Sequence, residues 1–476
     1  MISPMSILPI GIFKINDTLT MKRFTVFIIL ASYVLVPGIV LSFGGIFQID
    51  YYGLIDPVTF FDSERIRITI APEIAGRNSS DWIDYLLNAV LYLQPIGEPA
   101  VIDPERIIRE AYLGFHFRTF NVYLGQRFIN WGKVDVMSPL NVINHSDTEV
   151  LSMDNIFEAS VPDFLGQLKI YPSDSINIDI VYVPFFQPNI YPIEEIKIDE
   201  EITFDLPWAK TQYYNVHAAF KKREIGLFTE WGQSVHFAVN YTSFLFDFIA
   251  AYSFYMDHRL DFDLSGIEEE IIEDVDFDTH VITGTAFPSY NRVHSFGFGV
   301  SFYLKNLLIS ADASLKLSRD RDGSCMEIKN SELFYSVQVE RMFFTDVRGQ
   351  LNFFHLYVLN YDAQIQSPYS FFVEAYINAV IDNYLFQKPQ SQIYFLGHLD
   401  TTFIHQKLSV GINVIYEHSE IASQRAYYAA PRVGYKLSDY LTLFAGADIW
   451  LKGSEERFIG RNKEKDNFYV RLQLAL

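Results

Sequence analysis

The chain ends with the segment Asn-Phe-Tyr-Val-Arg-Leu-Gln-Leu-Ala-Leu, residues 467–476. Every second residue from Phe468 to Leu476 is apolar, and the residues between them are Tyr469, Arg471, Gln473 and Ala475. This period of two is typical of a β-strand with one apolar face. The segment therefore predicts an amphipathic strand that ends together with the chain.

The same alternation recurs in long segments, at 84–94, 309–317, 408–416 and 440–451. Each has about 9–12 residues, the length that a tilted strand needs to cross a bilayer. After residue 50 the sequence has no run of about 18 apolar residues, which excludes a bundle of membrane-spanning helices. We therefore predict an all-β fold, a single antiparallel transmembrane barrel over residues 63–476.

The connections between these segments alternate in length. Short turns fall at 118–119, 172–175, 304–306, 345–346, 405–407 and 437–439, and long polar segments at 132–163, 184–211, 258–293, 318–332 and 452–467. Short periplasmic turns and long extracellular loops are typical of outer-membrane barrels, and the segments predict about 16 or 18 strands. The alternation fails once, between Thr345 and Gln392, where a bulge or a strand-like piece within a loop would restore it.

The beginning of the chain has the features of a secretory signal peptide. Lys22 and Arg23 precede the apolar run 24–41, and Ser42 offers a small residue at a cleavage site. We interpret 1–20 as lying upstream of the true start, 21–42 as the signal peptide and 43–62 as a short segment before the barrel. A signal anchor with one helix is the alternative.

An exported barrel is expected to reach the outer membrane and to contact its lipid. The last strand is similar to the C-terminal signal that the barrel-assembly machinery binds, although that signal usually ends in Phe and this chain ends in Leu476. Residues 468–476 therefore predict the assembly machinery as a partner.

Composition excludes several other classes of function. The net charge of −21 argues against a nucleic-acid partner, because phosphates would be repelled. The one cysteine, Cys325, excludes a disulfide framework and a cysteine metal cage. The sequence contains no G-x-S-x-G, H-E-x-x-H or P-loop motif, so neither an enzyme activity nor a cofactor is expected.

One region resembles a known family. It contains, in order, Arg109-Glu110-Ala111-Tyr112-Leu113, Leu124-Gly125-Gln126-Arg127, Asn130-Trp131-Gly132, Asn141-Val142-Ile143-Asn144 and Val181-Tyr182-Val183-Pro184-Phe185. Over residues 105–190 this order is similar to the DUF1302 group of Gram-negative outer-membrane proteins, with the order at Gln126-Arg127 swapped. The resemblance implies a porin-like barrel without an assigned catalytic activity.

The segment 132–163 has no clear strand period. It either folds into the lumen as a constriction or projects outward, and the sequence leaves both arrangements open. If it folds inward, these residues would line the constriction and influence selectivity: Trp131, Gly132, Lys133, Asp135, Asn141, Asn144, His145 and Asp147.

Charged residues on strands should face the lumen, because an Arg on the lipid face costs about 2–4 kcal/mol at the midplane. We predict a lumen lined by charges of both signs: Arg65, Arg67, Glu110, Arg127, Asp179, Asp312, Arg348, Arg432 and Asp448. One wall could be basic, since Arg65, Arg67, Arg109, Arg127 and Lys133 all come from the first third of the chain. Salt bridges that merely fill the lumen are the alternative.

The segment 261–280 is rich in Asp and Glu and contains no Lys or Arg. We predict a solvated surface loop. Its oxygens could hold divalent cations such as Ca²⁺ or Mg²⁺, but their spacing matches no calcium loop, and no metal site is predicted elsewhere.

These features predict a porin-like channel for diffusion or weakly selective uptake of small solutes. Two alternatives remain open. One is a gated transporter for hydrophobic substrates, for which 43–62 is the candidate plug. The other is a structural or adhesive surface barrel that binds through its acidic loops.

Overall fold

The computed structural model describes residues 39–54, 64–78, 82–96, 108–146, 160–189, 195–204, 211–221, 232–259, 261–274, 277–325, 328–343, 346–361, 390–419, 425–452 and 466–475. In its first half the strands are β1 (Ile39–Leu54), β2 (Glu64–Asn78), β3 (Ile83–Ala89), β4 (Leu91–Ile96), β5 (Ile108–His116), β6 (Phe120–Gln126), β7 (His145–Ser146), β8 (Ser160–Val161), β9 (Phe164–Ser173), β10 (Ile176–Val183), β11 (Glu195–Phe204), β12 (Thr211–Lys221) and β13 (Ser234–Thr242). The second half contains β14 (Phe246–Met256), β15 (Asp261–Asp263), β16 (Ile267–Glu273), β17 (Phe277–Ser289), β18 (Arg292–Leu304), β19 (Leu307–Leu317), β20 (Glu332–Phe343), β21 (Val347–Val358), β22 (Ser391–Phe403), β23 (Leu408–Ser419), β24 (Ala426–Lys436), β25 (Leu441–Lys452) and β26 (Asn467–Ala475).

Eighteen strands form one closed antiparallel barrel, which confirms the predicted fold class and the larger of the two strand counts. Each wall strand pairs with its neighbours in chain order, and β3 and β4 together make one strand, since both pair with β2 on either side of Val90. The barrel closes where β26 pairs with β1, with Asp50 opposite Arg471. The amphipathic terminal strand is thus the closing strand, although Leu476 itself lies outside the described residues.

The N-terminal boundary of the barrel differs from the prediction. The segment 43–62, predicted to precede the barrel, contributes most of β1, which pairs with both β2 and β26. Its strand pattern, with Phe47, Ile49 and Tyr51 between Gln48, Asp50 and Tyr52, directly follows the apolar run 24–41, which obscured it in the sequence. The described part of this segment is therefore wall and not plug, and 55–62 lies outside the described residues.

The two ends of the barrel carry connections of different length. Short turns at 79–82, 117–119, 174–175, 243–245, 305–306, 344–346, 404–407 and 437–440 lie at one end, together with the start of β1 and the end of β26. The longer connections lie at the opposite end, including 127–163, 184–233, 257–291 and 359–390. Because β21 pairs directly with β22, these are consecutive strands of the wall and the alternation does not fail after Thr345. Residues 362–389 between them lie outside the described residues.

The two faces of the wall have opposite chemistry. On β13, Val235 and Phe237 point outward and are 47% and 39% exposed, whereas the alternate residues His236 and Ala238 are buried. Apolar side chains also dominate the outer face of the closing strands β25 and β26, where Leu443 lies opposite Leu472. A barrel with an apolar exterior and a polar interior is the arrangement that suits a lipid environment.

A second sheet lies among the long connections. The strands β11, β12, β17, β16 and β15 pair with one another, with β12 parallel to β17. The acidic segment 261–280, predicted to be a solvated loop, therefore forms strands over most of its length. Ile267 is buried against this sheet, and Tyr214 stacks on His280 at 4.4 Å between ring centroids. None of the described residues forms a helix long and apolar enough to cross a membrane.

Candidate functional site

The connection after β6 runs through the inside of the barrel; residues 127–146 are here called the inward segment. The indole Nε1 of Trp131 donates to Asp179 on β10 at 2.9 Å, and the backbone N–H of Asp135 donates to Gln338 on β20 at 2.8 Å. The segment leaves the wall after β6, and Val134 packs against Phe354 on β21 and Leu396 on β22. These two strands are eight and nine positions from β6 round the barrel of eighteen strands, which is the opposite side. The segment therefore crosses the lumen.

A single carboxylate on the wall anchors the middle of the inward segment. Asp312 on β19 accepts hydrogen bonds from the backbone N–H groups of Lys133 and Val134, each at 2.9 Å. It also accepts one from the hydroxyl of Ser138 at 2.6 Å. Hydrogen bonds to a charged acceptor are the stronger ones, so Asp312 fixes the turn of the segment over the far wall.

Apolar contacts fix the same segment from a second direction. Leu140 packs in a buried cluster with Trp131 and Ile143. Below it the wall has glycine on β18: a Cβ at Gly297 would lie 2.2 Å from Cδ2 of Leu140, and one at Gly299 would lie 3.1 Å from Cδ1. The wall thus lacks side chains where the segment lies against it.

The inward segment also contacts the wall strands that follow β19, from β20 to β23. Val134 is fully buried against Phe354 on β21 and Leu396 on β22, with Ile415 of β23 beside them. Gln338 returns a second hydrogen bond, from Nε2 to the carboxylate of Asp135, at 2.8 Å. The contacts of residues 131–140 therefore extend from β10 to β23.

Several residues predicted to line a constriction instead hold the inward segment together. The amide of Asn144 bonds both the N–H and the C=O of Ile129, at 3.2 and 2.7 Å. The side-chain oxygen of Asn141 accepts from the N–H of Trp131 at 3.0 Å and from that of Gly132 at 3.2 Å. Gly132 leaves no room for a side chain, because a Cβ would lie 2.4 Å from Ser138.

The end of the inward segment is tied to the chain that returns to the wall. His145 lies 2.7 Å from the carboxylate of Asp163, and both side chains are buried. Asp147, predicted with them, lies outside the described residues. Alternation on the strands could have found Gln338, but no signal in the sequence marked Asp163 or Ser138 as partners.

Arg127 and its neighbours form the base of the segment. The Arg127 guanidinium lies over the ring of Tyr123 at 3.6 Å and hydrogen-bonds Gln167. Gln167 in turn donates to Asp179 at 2.7 Å, and Glu110 accepts from the N–H of Phe128 at 3.0 Å. These charges are engaged in holding the entry of the segment.

The remaining predicted charges lie on the part of the wall from β20 round to β2. Arg348 pairs with Glu340 at 2.8 Å and lies 3.7 Å from Asp135 of the segment. Asp448 accepts from the hydroxyl of Tyr428. Arg432 is opposite Gly411 and Gly446 in register, on the same face as Asp448.

The seam of the barrel brings further charges together. Arg471 on β26 pairs with Asp50 on β1 at 2.6 Å, and Arg67 on β2 is opposite Asp50 in register. Arg65 pairs with Tyr52 along the backbone, and its side chain is outside the described residues. Acidic and basic residues alternate along this part of the wall, in the order Arg432, Asp448, Arg471, Asp50 and Arg67.

Carboxylates and histidines are numerous, but among the residues with a described position no three of the metal-binding types converge in a way that could hold an ion. The same holds within the acidic segment 261–280, of which all residues except 275–276 are described.

Comparison with known proteins identifies the architecture. No protein-family model and no curated protein matches the chain. Its structure is similar to that of a BenF-like porin from Pseudomonas fluorescens Pf-5, with a TM-score of 0.51, 9% identity and coverage of 92% of this chain and 98% of that one. It is also similar to OccK2 (OpdF) of Pseudomonas aeruginosa in complex with glucuronate, at 0.49, 10%, 92% and 98%. At 9% identity the similarity to the BenF-like porin shows the fold, a porin-type barrel.

Proposed function

We propose that the chain is an outer-membrane channel through which small polar solutes diffuse. The observation that carries the proposal is the inward segment, which crosses the lumen and has its own anchors on the opposite wall. A barrel that served only as a surface scaffold would have no need of a cross-piece held by a buried carboxylate. A cross-piece of this kind reduces the open cross-section and so limits the size of the solute.

The proposed path lies between the inward segment and the wall formed by β24, β25, β26, β1 and β2. The described contacts of the segment extend on the other side, from Glu110 on β5 round to Ile415 on β23. Asp50, Arg67, Arg432, Asp448 and Arg471 belong to the wall of this path. Because the charges are of both signs, we expect weak selectivity for polar solutes rather than a strong preference for one sign.

The two alternative functions have less support. A luminal plug would favour a gated transporter for hydrophobic substrates, and the candidate plug was 43–62, but the described part of that segment is β1. An adhesive role would use the second sheet at the long-loop end, where Ile271 and Ile272 are 51% and 52% exposed, but nothing in that sheet indicates a partner.

The proposal includes the cellular location and the partners that the sequence predicted. The chain is exported and contacts outer-membrane lipid with its apolar outer face. It enters the membrane by way of the barrel-assembly machinery, which binds the last strand. The short-turn end is then periplasmic. Membership of the DUF1302 group and divalent-cation binding at 261–280 are further proposals, the first resting on the motifs at 105–190 and the second on the carboxylates alone.

Planar-bilayer recording of the refolded protein tests the proposed channel. Discrete conductance steps are expected, and the conductance should saturate only weakly as the salt concentration rises. Large neutral polymers added to the bath should be partly excluded from the lumen. A folded barrel that inserts without conducting would overturn the proposal.

A further inference from the structure

The outer surface of the barrel contains a groove near its short-turn end. It has a volume of about 470 Å³ and extends over β19–β23. Its lining includes Leu351, Leu399, Ile412 and Val414, and Gly349 and Gly397 form its floor. The side chains around it face outward: Leu351 is 70% exposed and Leu399 47%. The groove is therefore a dent in the apolar outer face and is separate from the lumen.

Two glycines create the dent. Gly397 lies opposite Leu351 in register, and Gly349 lies opposite Leu399. A Cβ at Gly397 would meet only Cδ2 of Leu351, at 3.8 Å, so the space above it is open. At Gly349 the ring of Phe343 lies 2.9 Å from the position of a Cβ and forms one end of the groove.

Positive charge collects at that end. Arg341 is exposed on the outer face, where an unpaired cation is costly unless it reaches the membrane surface. Its guanidinium lies over the ring of Phe343 at 5.0 Å, two residues before β20 ends. The turns at 305–306 and 404–407 contribute the exposed side chains of Lys305 and Lys407, and the connection that follows β20 contains one carboxylate, Asp346.

We propose that this groove is a binding site for a phospholipid of the periplasmic leaflet. One acyl chain lies over Gly397 between Leu351 and Leu399, and the phosphate pairs with Arg341 at the membrane surface. An apolar groove that ends at a cation matches the chemistry of a phospholipid, which has long apolar chains attached to an anionic head group. The inference rests on the proposed membrane location but not on conduction.

A second copy of the chain fits the groove less well. A two-fold contact places the same surface of both copies face to face. Arg341, Lys305 and Lys407 of each copy would then approach those of the other, and like charges facing each other at an interface oppose association.

Native mass spectrometry of the detergent-purified protein, titrated with phosphatidylglycerol, tests the site. We expect the wild type to retain one bound phosphatidylglycerol molecule more tightly than any further molecule of this lipid. Arg341→Gln should bind it about fivefold more weakly, the effect of one cation near an anionic head group. Gly397→Leu should abolish that binding, because the new side chain fills the groove.

Matched controls isolate the site. Gly166→Leu adds the same side chain on the outer face of β9, where a Cβ makes only an ordinary contact of 3.5 Å with Leu124. Arg118→Gln removes an exposed cation from another short turn. Both should bind phospholipid as the wild type does.

Equal lipid retention in all variants would overturn the proposal. So would an oligomer that Gly397→Leu converts to monomers while lipid binding is unchanged, since the occupant would then be a second copy. Conductance recorded in parallel separates this inference from the proposed channel: the groove variants should conduct like the wild type, and a protein that binds the lipid without conducting would contradict only the channel.

Discussion

Asp312 on the wall accepts a hydrogen bond from the backbone N–H of Val134 at 2.9 Å, although 178 residues separate them in sequence. The contact joins the inward segment to a strand on the far side of the lumen. Because the same carboxylate also bonds Lys133 and Ser138, its removal leaves three donors without their acceptor.

Replacement of Asp312 by alanine should loosen the inward segment while the barrel stays closed. Each buried donor left unsatisfied costs about 1–3 kcal/mol. The anchored position of the inward segment therefore loses most of its free-energy advantage over other positions in the lumen. We expect larger and noisier single-channel currents than in the wild type. Asp247→Ala, which removes another carboxylate from the inner face near the short-turn end, should leave the currents unchanged; equal noise in the two variants would contradict the anchoring role.

Arg471→Met should destabilise the seam of the barrel. Asp50 is 1% exposed and pairs with Arg471 at 2.6 Å, so the substitution leaves a buried charge without that partner. Breaking a buried pair in this way costs about 3–5 kcal/mol. The temperature at which the folded band disappears from an unboiled gel should fall, and the double variant Asp50→Asn with Arg471→Met should recover part of the loss. A double variant as unstable as the single one would show that the pair is not responsible.

The long-loop end should resist acid. Burial by itself would raise the pKa of the Asp257 carboxyl, but the charges of Arg259 and Lys316 outweigh burial and hold the pKa well below its usual range. A carboxyl whose pKa falls on folding stabilises the fold above its unfolded pKa, near 3.9, and the stabilisation is lost as pH drops through the lower folded pKa. The protection factors of 257–259 and 261–263 in hydrogen exchange, which are corrected for the intrinsic pH dependence of exchange, should therefore stay high from neutral pH down to about pH 4.

Arg259→Gln provides the comparison for this acid resistance. Arg259 bonds Asp257 at 2.9 Å and Glu332 at 2.7 Å. Its loss leaves both carboxylates with less compensating charge, so the protection factors of these residues should fall already at mildly acidic pH. Arg319→Gln, which changes an exposed residue of the neighbouring connection, should have no effect. Protection factors of the wild type that already fall at pH 5 would contradict the acid resistance.

Arg67 and Arg127 should differ in their effect on ion selectivity. Arg67 belongs to the wall of the proposed path, and charges in a narrow pore are screened less than those on a surface loop. Arg67→Gln should lower the ratio of anion to cation permeability, measured as a reversal potential in a salt gradient. Arg127→Gln should change current noise more than selectivity, because that guanidinium is stacked on Tyr123. An unchanged ratio for Arg67→Gln would mean that the luminal charges are structural.

The wall of the barrel was largely predictable from the sequence. On long strands such as β19 and β25 a lipid-facing side requires an apolar residue at every second position, and this requirement is visible in Leu441, Leu443 and Ala445 without any structure. The turn at 404–407 was predictable for the same reason, since it interrupts that pattern. β1 was not predictable because it directly follows an apolar run with the features of a signal peptide.

The lumen was less predictable, because its contacts join residues far apart in sequence. Alternation placed Asp312 and Asp179 on the inner face, but no local pattern shows that Asp312 bonds the backbone of Val134 or that Asp179 bonds Trp131. Gly297 is an ordinary strand glycine until Leu140 is found against it. The strands of the acidic segment were missed because charged residues occupy both faces, which hides the period of two.

Single-channel conductance of a variant in which residues 132–140 are replaced by a short Gly-Ser linker tests the central claim most directly. The claim is that the inward segment crosses the lumen and limits the path. If it does, the variant should still show the mobility of a folded barrel on an unboiled gel and should conduct more than the wild type in the same salt. A folded variant whose conductance equals that of the wild type would contradict the claim, because removal of the segment would then have opened nothing.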